Sequence, residues 1–167
     1  SNLTGDKNFI ATWTTLAPET SSTNLLTRSY RDVRLDVQYF DGLGRTLQTV
    51  RKESSLKTGG ISANDLVTYL EYDQYGREIN KYLPYAAISS DGSFKAFATT
   101  EQQSFYSANA SPITGQGETI FHGITEYEAS PISRVLKTMA PGNNWAGAGR
   151  GVSMQYMINT DTDAVRI

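Results

Sequence analysis

Two glutamates, Glu126 and Glu128, have the residue type that glycoside hydrolysis requires. Glycosidases use two carboxyl groups, one as general acid and the other as nucleophile or base. Residues two apart in a β-strand point to the same face, so both carboxyl groups could line one cleft. Nothing in the neighbouring sequence would raise the pKa of one above that of the other, as the acid role demands. A hydrolase is therefore our third hypothesis, and we expect no enzyme activity.

His122 is the only histidine, and the chain has no cysteine. A catalytic triad cannot be inferred from one histidine without a nucleophile motif, and a zinc site needs several nitrogen or sulfur ligands. Asn159, Asp161 and Asp163 carry oxygens that could bind calcium, but this stretch lacks the glycine and the final glutamate of an EF-hand loop. The sequence therefore predicts no catalytic residue, no metal site and no cofactor.

Arginine and aromatic side chains offer recognition chemistry. Arg45 and Arg77 could each bind a carboxylate through two hydrogen bonds, but we favour a structural role, in which each pairs with an acid across its hairpin or covers the aromatic residue before that acid. Tyr75 and Trp145 could stack on a sugar or anchor a partner. They form the candidate ligand platform of our second hypothesis, a carbohydrate-binding module, although for Trp145 we favour packing back onto the sheet.

Both arginines belong to a unit that the chain contains twice, in residues 39–45 and again in residues 71–77. The aspartate, the last glycine, the arginine and the aromatic residue before the aspartate all recur 32 positions later. An aspartate can open a type I turn because its carboxylate accepts backbone N–H groups, and glycine can adopt the positive φ that the returning chain needs. Each unit therefore predicts the tip of a β-hairpin, with positive φ at both glycines. The residues of this turn repeat are Tyr39, Phe40, Asp41, Gly44, Arg45, Tyr72, Asp73, Gly76 and Arg77.

Two weaker copies of the unit follow. Residues 126–136 keep the aromatic residue, the acid and the later arginine, but replace the glycine turn with a longer Ser-Pro turn. Residues 152–163 resemble a strand that enters a turn. A unit repeated in this way is typical of structural proteins built from hairpins in series.

Alternation of apolar and polar residues predicts strands along most of the chain. The predicted strands are 8–15, 30–41, 44–53, 65–73, 76–83, 119–128, 133–139 and 152–159. Thr99, as an N-cap with Gln102 three places on, predicts a short helix over 98–107. Segments rich in Pro, Gly, Ser and Asn predict loops at 17–27, 54–64, 86–95, 108–118 and 140–151. The expected fold is mainly β: antiparallel hairpins in series with one short helix, arranged as a sandwich or an open twisted sheet.

The aromatic-Asp-x-x-Gly-Arg units resemble those of the RHS/YD-repeat proteins. Residues 37–50, 71–85 and 133–145 are similar, in the same order, to a domain of unknown function on the N-terminal side of RHS-repeat-associated proteins of Gram-negative bacteria. The resemblance covers roughly residues 8–167. It implies a β-rich module of a large secreted or surface protein and transfers no catalytic residue. In better-known relatives the repeats form a hollow shell around a C-terminal toxin, which implies a role in capping or plugging such a shell.

Composition and length limit the number of domains and the classes of partner that we expect. A chain of 167 residues suits a single domain, and its net charge of −2, with acidic and basic residues mixed, argues against nucleic acid as a partner. No apolar run is long enough to span a bilayer, and a chain without cysteine is compatible with an exported bacterial protein. Ser1-Asn2 is typical of a cloning remnant, so we expect a tag remnant and disordered lead over 1–7, and over 8–167 a single domain excised from a larger protein.

Together these patterns favour a non-enzymatic structural or interaction module of a large exported RHS/YD-repeat protein, located at the cell surface or outside the cell. The expected partners are downstream repeats of the same polypeptide, with cell-surface carbohydrate or protein as further candidates. We expect no membrane insertion. Because the chain ends soon after residues 152–158, we expect that stretch to lie at a sheet edge where the following repeats attach.

Overall fold

The structure is a computed structural model that describes residues 7–55, 63–108 and 117–159. The described residues form two antiparallel sheets, one α-helix and one 3-10 helix at Ser22–Leu26. The elements are β1 (Asn8–Thr15), β2 (Val33–Phe40), β3 (Thr46–Arg51), β4 (Leu66–Tyr69), β5 (Asn80–Tyr82), β6 (Tyr85–Ala86), α1 (Ala98–Ala108), β7 (His122–Tyr127), β8 (Val135–Met139) and β9 (Val152–Ser153). This confirms a mainly β, antiparallel fold with one short helix. No helix among these residues is long and apolar enough to cross a membrane.

The first sheet has the strand order β1-β2-β3-β4-β6 and owes its register to one buried face. Along β2 the burial alternates with a period of two, as the sequence predicts, and every second residue from Val33 to Tyr39 is buried. Val37, Val50 and Val67 pair across three adjacent strands and are fully buried. A slip of one residue would turn this row towards solvent, so burial fixes the pairing.

The second sheet has the order β5-β7-β8-β9, and α1 helps to join it to the first sheet. Tyr106 of α1 stacks on Phe121, with ring centres 4.7 Å apart and planes at 17°. The Gln102 side chain donates hydrogen bonds to the carbonyls of Leu83 and Phe121, at 2.7 and 3.1 Å. These carbonyls lie next to strands β5 and β7 of the second sheet, so one helix side chain holds both segments in place.

A buried ion pair fastens the loop after β6 to the first sheet. Lys95 Nζ lies 2.8 Å from Asp65 Oδ2, and their side chains are only 4% and 0% exposed. Asp65 also accepts backbone N–H groups from Glu53 and Gly92. The main chain of Lys95 exchanges two hydrogen bonds with the buried Gln48 side chain of β3. The charges are therefore satisfied on all sides, which is the condition for burying them.

The sequence-based element predictions differ from the structure in several places. The 3-10 helix lies in the predicted loop 17–27, and β6 was missed because two residues are too few to show a period. The predicted N-cap is wrong: Thr99 lies inside α1, where its hydroxyl contacts Glu71 Oε1 at 3.4 Å. Only Val152–Ser153 of the predicted strand 152–159 is paired as a strand. The predicted lead over 1–7 lies outside the described residues except for Lys7.

The buried ion pair yields a stability prediction. We expect Lys95→Met to lower the free energy of unfolding by about 3–5 kcal/mol, because it leaves Asp65 charged and unpaired in the interior. Urea unfolding followed by circular dichroism measures the loss. Lys81→Met, which removes a positive charge from an exposed strand position, is the control and should change stability by less than about 0.5 kcal/mol. Equal losses in the two variants would contradict the structural role of the pair.

Candidate functional site

The first turn unit is organised around the Asp41 carboxylate. The Asp41 N–H donates to the Arg45 carbonyl at 2.9 Å, and the Gly44 N–H donates to the Asp41 carbonyl at 3.1 Å. Asp41 Oδ1 accepts the backbone N–H groups of Leu43 and Arg45, both at 2.9 Å, while Oδ2 accepts Arg45 Nε at 2.7 Å. Gly44 has φ 78°, a conformation that costs any residue with a Cβ. One carboxylate therefore fixes both the turn and the direction of its arginine.

The second unit repeats this arrangement bond for bond. Asp73 accepts the backbone N–H groups of Tyr75 and Arg77 at 2.9 Å and Arg77 Nε at 2.8 Å. Gly76 has φ 77° and donates to the Asp73 carbonyl at 3.0 Å. The predicted positive φ is thus present at both glycines. The strand pairing differs from the prediction, because β4 lies in the first sheet and β5 in the second. This turn carries the chain between sheets rather than closing a hairpin.

The third unit forms the same kind of turn from different residues. The Glu128 N–H donates to the Arg134 carbonyl at 2.9 Å, and Glu128 Oε1 accepts Ser130 Oγ and the Arg134 N–H. Ser133 takes the place of the glycine, with φ 55°. The turn is two residues longer than in the first two units, and the extra methylene of glutamate lets the carboxylate reach across it. This turn closes the hairpin of β7 and β8.

Hydrogen bonding holds all three carboxylates in the ionised form. The Arg45 N–H bond is the main cause of the lowered pKa of Asp41, and the Ser130 hydroxyl is the main cause of the lowered pKa of Glu128. Burial raises the pKa of Asp73, but hydrogen bonds from Arg77 and Tyr75 outweigh it, so that its pKa is also lowered. These shifts are opposite in sign to the raised pKa that a general acid needs.

The three arginines connect successive units. Each guanidinium lies over the ring of the aromatic residue that belongs to the next unit, within the range of a cation–π contact. The pairs, with the distance from guanidinium carbon to ring centre, are Arg45 and Tyr72 (4.6 Å), Arg77 and Tyr127 (5.0 Å), and Arg134 and Tyr156 (5.1 Å).

The tyrosine hydroxyls complete the same connection. Each donates to the backbone carbonyl of the residue that directly follows the arginine of the preceding unit. The bonds are Tyr72 Oη to Thr46 (2.8 Å), Tyr127 Oη to Glu78 (3.3 Å) and Tyr156 Oη to Val135 (3.1 Å). We name this combination of ring and hydroxyl contact the Arg–Tyr link. It occurs three times, in chain order, and ties each turn to the next unit.

The middle link is the most elaborate. Arg77 lies between two rings, with its guanidinium carbon 4.8 Å from the centre of Tyr75 and 5.0 Å from that of Tyr127. Its Nη1 also donates to the Glu128 carbonyl at 3.2 Å, so it touches the third turn directly. In the first link, a Cβ placed on Gly76 would lie 3.1 Å from Arg45 Nη1. Gly76 therefore serves the turn through its φ and also leaves space for the preceding arginine.

The candidate catalytic and metal-binding residues do not form a catalytic arrangement among the described residues. Glu126 is exposed, whereas the neighbouring Glu128 carboxylate is held within its own turn. His122 is half-buried beside Tyr82, with ring centres 5.2 Å apart, and burial lowers its pKa. The described ranges contain no group of three or more His, Asp or Glu side chains that could hold a metal ion. Asp161 and Asp163, the candidate calcium ligands, lie outside those ranges.

Both candidate platform residues are exposed. Tyr75 is 69% exposed at the second turn, but Arg77 covers one face of its ring. Trp145 is 54% exposed, in the loop between β8 and β9. It therefore packs back onto the protein less completely than we expected.

Sequence reasoning did not find the Arg–Tyr links. It expected each arginine either to pair with an acid across its hairpin or to lay its stem over the aromatic residue before the aspartate of its own unit. In the structure Arg45 and Arg77 pair with the aspartates of their own turns. Arg45 instead lies over Tyr72, 27 residues further on. The signal that could have found the links was the third unit, where Tyr127 and Arg134 stand in the same order around an acid.

Comparison with known proteins yields one family. The family described as Domain of unknown function (DUF6443) matches residues 11–158. No curated protein and no solved structure matches the chain.

The turn glycines yield a prediction with a control inside the same turn. Gly44→Ala and Gly76→Ala should each destabilise the domain by roughly 1–2 kcal/mol, because alanine is strained at positive φ. The loss of stability should be larger for Gly76→Ala, because the added Cβ also crowds Arg45. Gly42 is not among the positive-φ glycines and has open space around it, so Gly42→Ala should be neutral or slightly stabilising. Urea unfolding measures all three, and equal values at positions 42 and 44 would refute the turn assignment.

The Arg–Tyr link predicts energetic coupling between distant residues. We expect a double-mutant cycle of Arg77→Met and Tyr127→Leu to show this coupling. The double variant should lose about 0.5–1 kcal/mol less free energy of unfolding than the sum of the losses in the two single variants. Arg77→Met combined with Tyr72→Leu serves as the control, because Tyr72 is linked to Arg45 instead. Coupling that is as large in the control as in the test pair would mean that the links do not run from each unit to the next.

Proposed function

The chain belongs to the family of domains of unknown function DUF6443, and we propose that it is a non-enzymatic structural and interaction module of a large exported RHS/YD-repeat protein. The observation that carries this proposal is the series of three Arg–Tyr links. Asp41, Asp73 and Glu128 are engaged within their turns, and the arginines of those turns hold one unit against the next.

The hydrogen bonding of the carboxylates supports an architectural role over a catalytic one. Asp41, Asp73 and Glu128 each accept at least two hydrogen bonds inside their own turn. A carboxylate that acts as base or nucleophile needs a lone pair directed at substrate. Here the lone pairs accept hydrogen bonds from donors within the same turn. An exposed ion pair contributes only about 0–1 kcal/mol to stability. The main effect of these carboxylates is therefore to fix the orientation of each arginine.

The order of the links supports a place beside further repeats. Every link joins a unit to the unit that follows it, so the same device can continue into neighbouring segments of a parent chain. Modules of repeat arrays contact mainly their neighbours, and terminal modules cover the open end of the array. This is the basis for proposing that the domain caps or plugs a repeat shell. Export to the cell surface or the medium agrees with a chain that contains no cysteine.

A second candidate function is carbohydrate binding, favoured by one observation. Trp145 presents about half of its surface to solvent in a polar loop, and such an indole can stack on a sugar ring. Binding of polysaccharides by the domain, abolished by Trp145→Ala and kept by the control Phe97→Ala, would support this function. Phe97 is a suitable control because it is a more exposed aromatic residue, directly before α1. Equal binding by both variants would refute it.

The non-enzymatic proposal predicts the result of a substrate screen. The purified domain should hydrolyse no glycoside, ester or peptide substrate above the rate of a heat-unfolded sample. Glu126→Gln and Glu128→Gln provide the matched controls, since they remove the two acids that the hydrolase hypothesis needs. Turnover by the native domain that disappears in either variant would overturn the proposal.

A further inference from the structure

We propose that the Lys95 amine and the Asp65 carboxyl group condense to an amide, which joins the loop after β6 covalently to the residue directly before β4. The inference is independent of the proposed function. Three features of the pair carry it: a fixed contact between the reacting groups, their burial, and a second carboxylate beside the reacting nitrogen.

The two reacting groups are held in contact by the main chain around them. Lys95 Nζ lies 2.8 Å from Asp65 Oδ2, and the carbon to be attacked is bonded to that oxygen. The Asp65 N–H donates to the Ser89 carbonyl at 2.9 Å, and the Asp65 carbonyl accepts the Ala87 N–H at 2.8 Å. Folding has therefore already met the entropic cost of bringing the two groups together, which in solution is a large part of the barrier to such a reaction.

Burial makes this ion pair a reactive pair. The side chain of Lys95 is 4% exposed and that of Asp65 0%. An interior of low dielectric constant disfavours both charges, so it favours passage of a proton from the ammonium to the carboxylate. The result is a neutral amine, which is a nucleophile, beside a carboxylic acid, whose carbon it attacks. The amide then replaces two buried charges with one neutral group, and the exclusion of water opposes its hydrolysis.

The reaction balances without a further reagent. Lys95 Nζ first passes a proton to Asp65 Oδ2, and the lone pair left on Nζ forms a bond to Asp65 Cγ. The negative charge of the tetrahedral intermediate develops on Oδ1, which accepts the Glu53 N–H at 3.1 Å. Nζ then loses a second proton, the bond from Cγ to Oδ2 breaks, and Oδ2 leaves as water with that proton. The amide keeps Oδ1 as its carbonyl oxygen and one hydrogen on Nζ.

Asp91 is placed to carry the second proton. Its Oδ1 lies 3.0 Å from Lys95 Nζ, so it contacts the same nitrogen as Asp65. Burial raises the pKa of Asp91, but hydrogen bonds from Ser93 and Lys95 outweigh it, so that its pKa is lowered. Asp91 is therefore ionised when the nitrogen must lose its proton, and it can return this proton to the departing Oδ2. Its side chain is 55% exposed, which gives the water a route to solvent.

The other ion pairs of the described residues lack this combination. Lys52 Nζ lies 3.8 Å from Glu53 Oε2, and their side chains are 30% and 26% exposed. The remaining cations in ion pairs are arginines, whose guanidinium groups keep their proton in proteins. Within the ranges that the structure describes, Lys95 is thus the one buried lysine, and it is in contact with a carboxylate.

The mass of the native chain tests the proposal directly. Mass spectrometry of the purified protein in denaturing solvent should give a mass one water molecule below that of the sequence. Lys95→Arg keeps the positive charge but cannot form the amide, so it should have its full sequence mass. A native chain of full sequence mass would overturn the proposal. A water loss that persists in Lys95→Arg would also overturn it, because a succinimide at Asp91-Gly92 loses the same mass without the lysine.

Trypsin digestion identifies the partner of Lys95. Trypsin cleaves after lysine and arginine, so an unmodified chain yields residues 58–77, which contain Asp65, apart from residues 82–95, which contain Asp91 and Lys95. An amide between Lys95 and Asp65 blocks cleavage after Lys95 and joins residues 58–77 to residues 82–134. A bond to Asp91 instead would leave residues 58–77 free and would overturn the assignment to Asp65.

Two carboxylate variants test the chemistry. Asp65→Asn presents an amide carbon at the same place, so it should form the same product with loss of ammonia in place of water. Asp91→Asn keeps an oxygen beside Nζ but takes up no proton, so cross-linking should be at least about tenfold slower. Mass spectrometry during cell-free synthesis measures the rates. Circular dichroism reports whether each variant folds, and the native mass decides if one does not. Cross-linking of folded Asp91→Asn at the native rate would refute the role of Asp91.

Discussion

The hydrogen bonding of a turn carboxylate to its own backbone is the interaction on which the architecture depends. An ion pair between Asp41 and Arg45 at the surface would contribute little by itself, since water and salt screen it and two side chains lose freedom. The same carboxylate, however, accepts two backbone N–H groups of the turn. It thereby fixes the chain direction and the arginine at once. Because the guanidinium is held at Nε, its planar face is presented to the ring of Tyr72.

One local turn serves two different connections between strands. The first unit closes β2 on β3 within one sheet, whereas the second leads from β4 to a strand of the other sheet. The difference does not arise in the turns, which have the same hydrogen bonds. It arises because Val67 completes the buried row with Val50, so that β4 pairs with β3 and β6 and its return strand β5 is left to pair with β7. Turn geometry is local, but strand pairing follows burial.

The difference between local turn geometry and burial-driven strand pairing explains which features the sequence predicts. The turns need only Asp, Gly and their neighbours, so both positive-φ glycines could be predicted from a few residues. The buried pair of Lys95 and Asp65 could not, because these residue types are nearly always exposed and their partners lie 30 residues apart. The positive φ of Ser133 could not be predicted either, because serine does not indicate this conformation as glycine does. The Arg–Tyr links depend on how units stack, and that information is distributed over the whole sheet.

The distribution of polar and apolar groups bears on what such a module can do. Asp41, Asp73 and the arginines of their turns are engaged inside or between units, and the buried charges of Lys95 and Asp65 are satisfied by backbone and by each other. Residues 151–159 show the opposite pattern: they contain no charged residue, and the side chains of Val152, Met154, Tyr156 and Ile158 are exposed. A catalytic site concentrates polar groups with shifted pKa values in a cleft, whereas Asp41, Asp73 and Glu128, whose pKa values are lowered, belong to three successive turns. The polar chemistry of the three turns thus fixes the internal order of this chain.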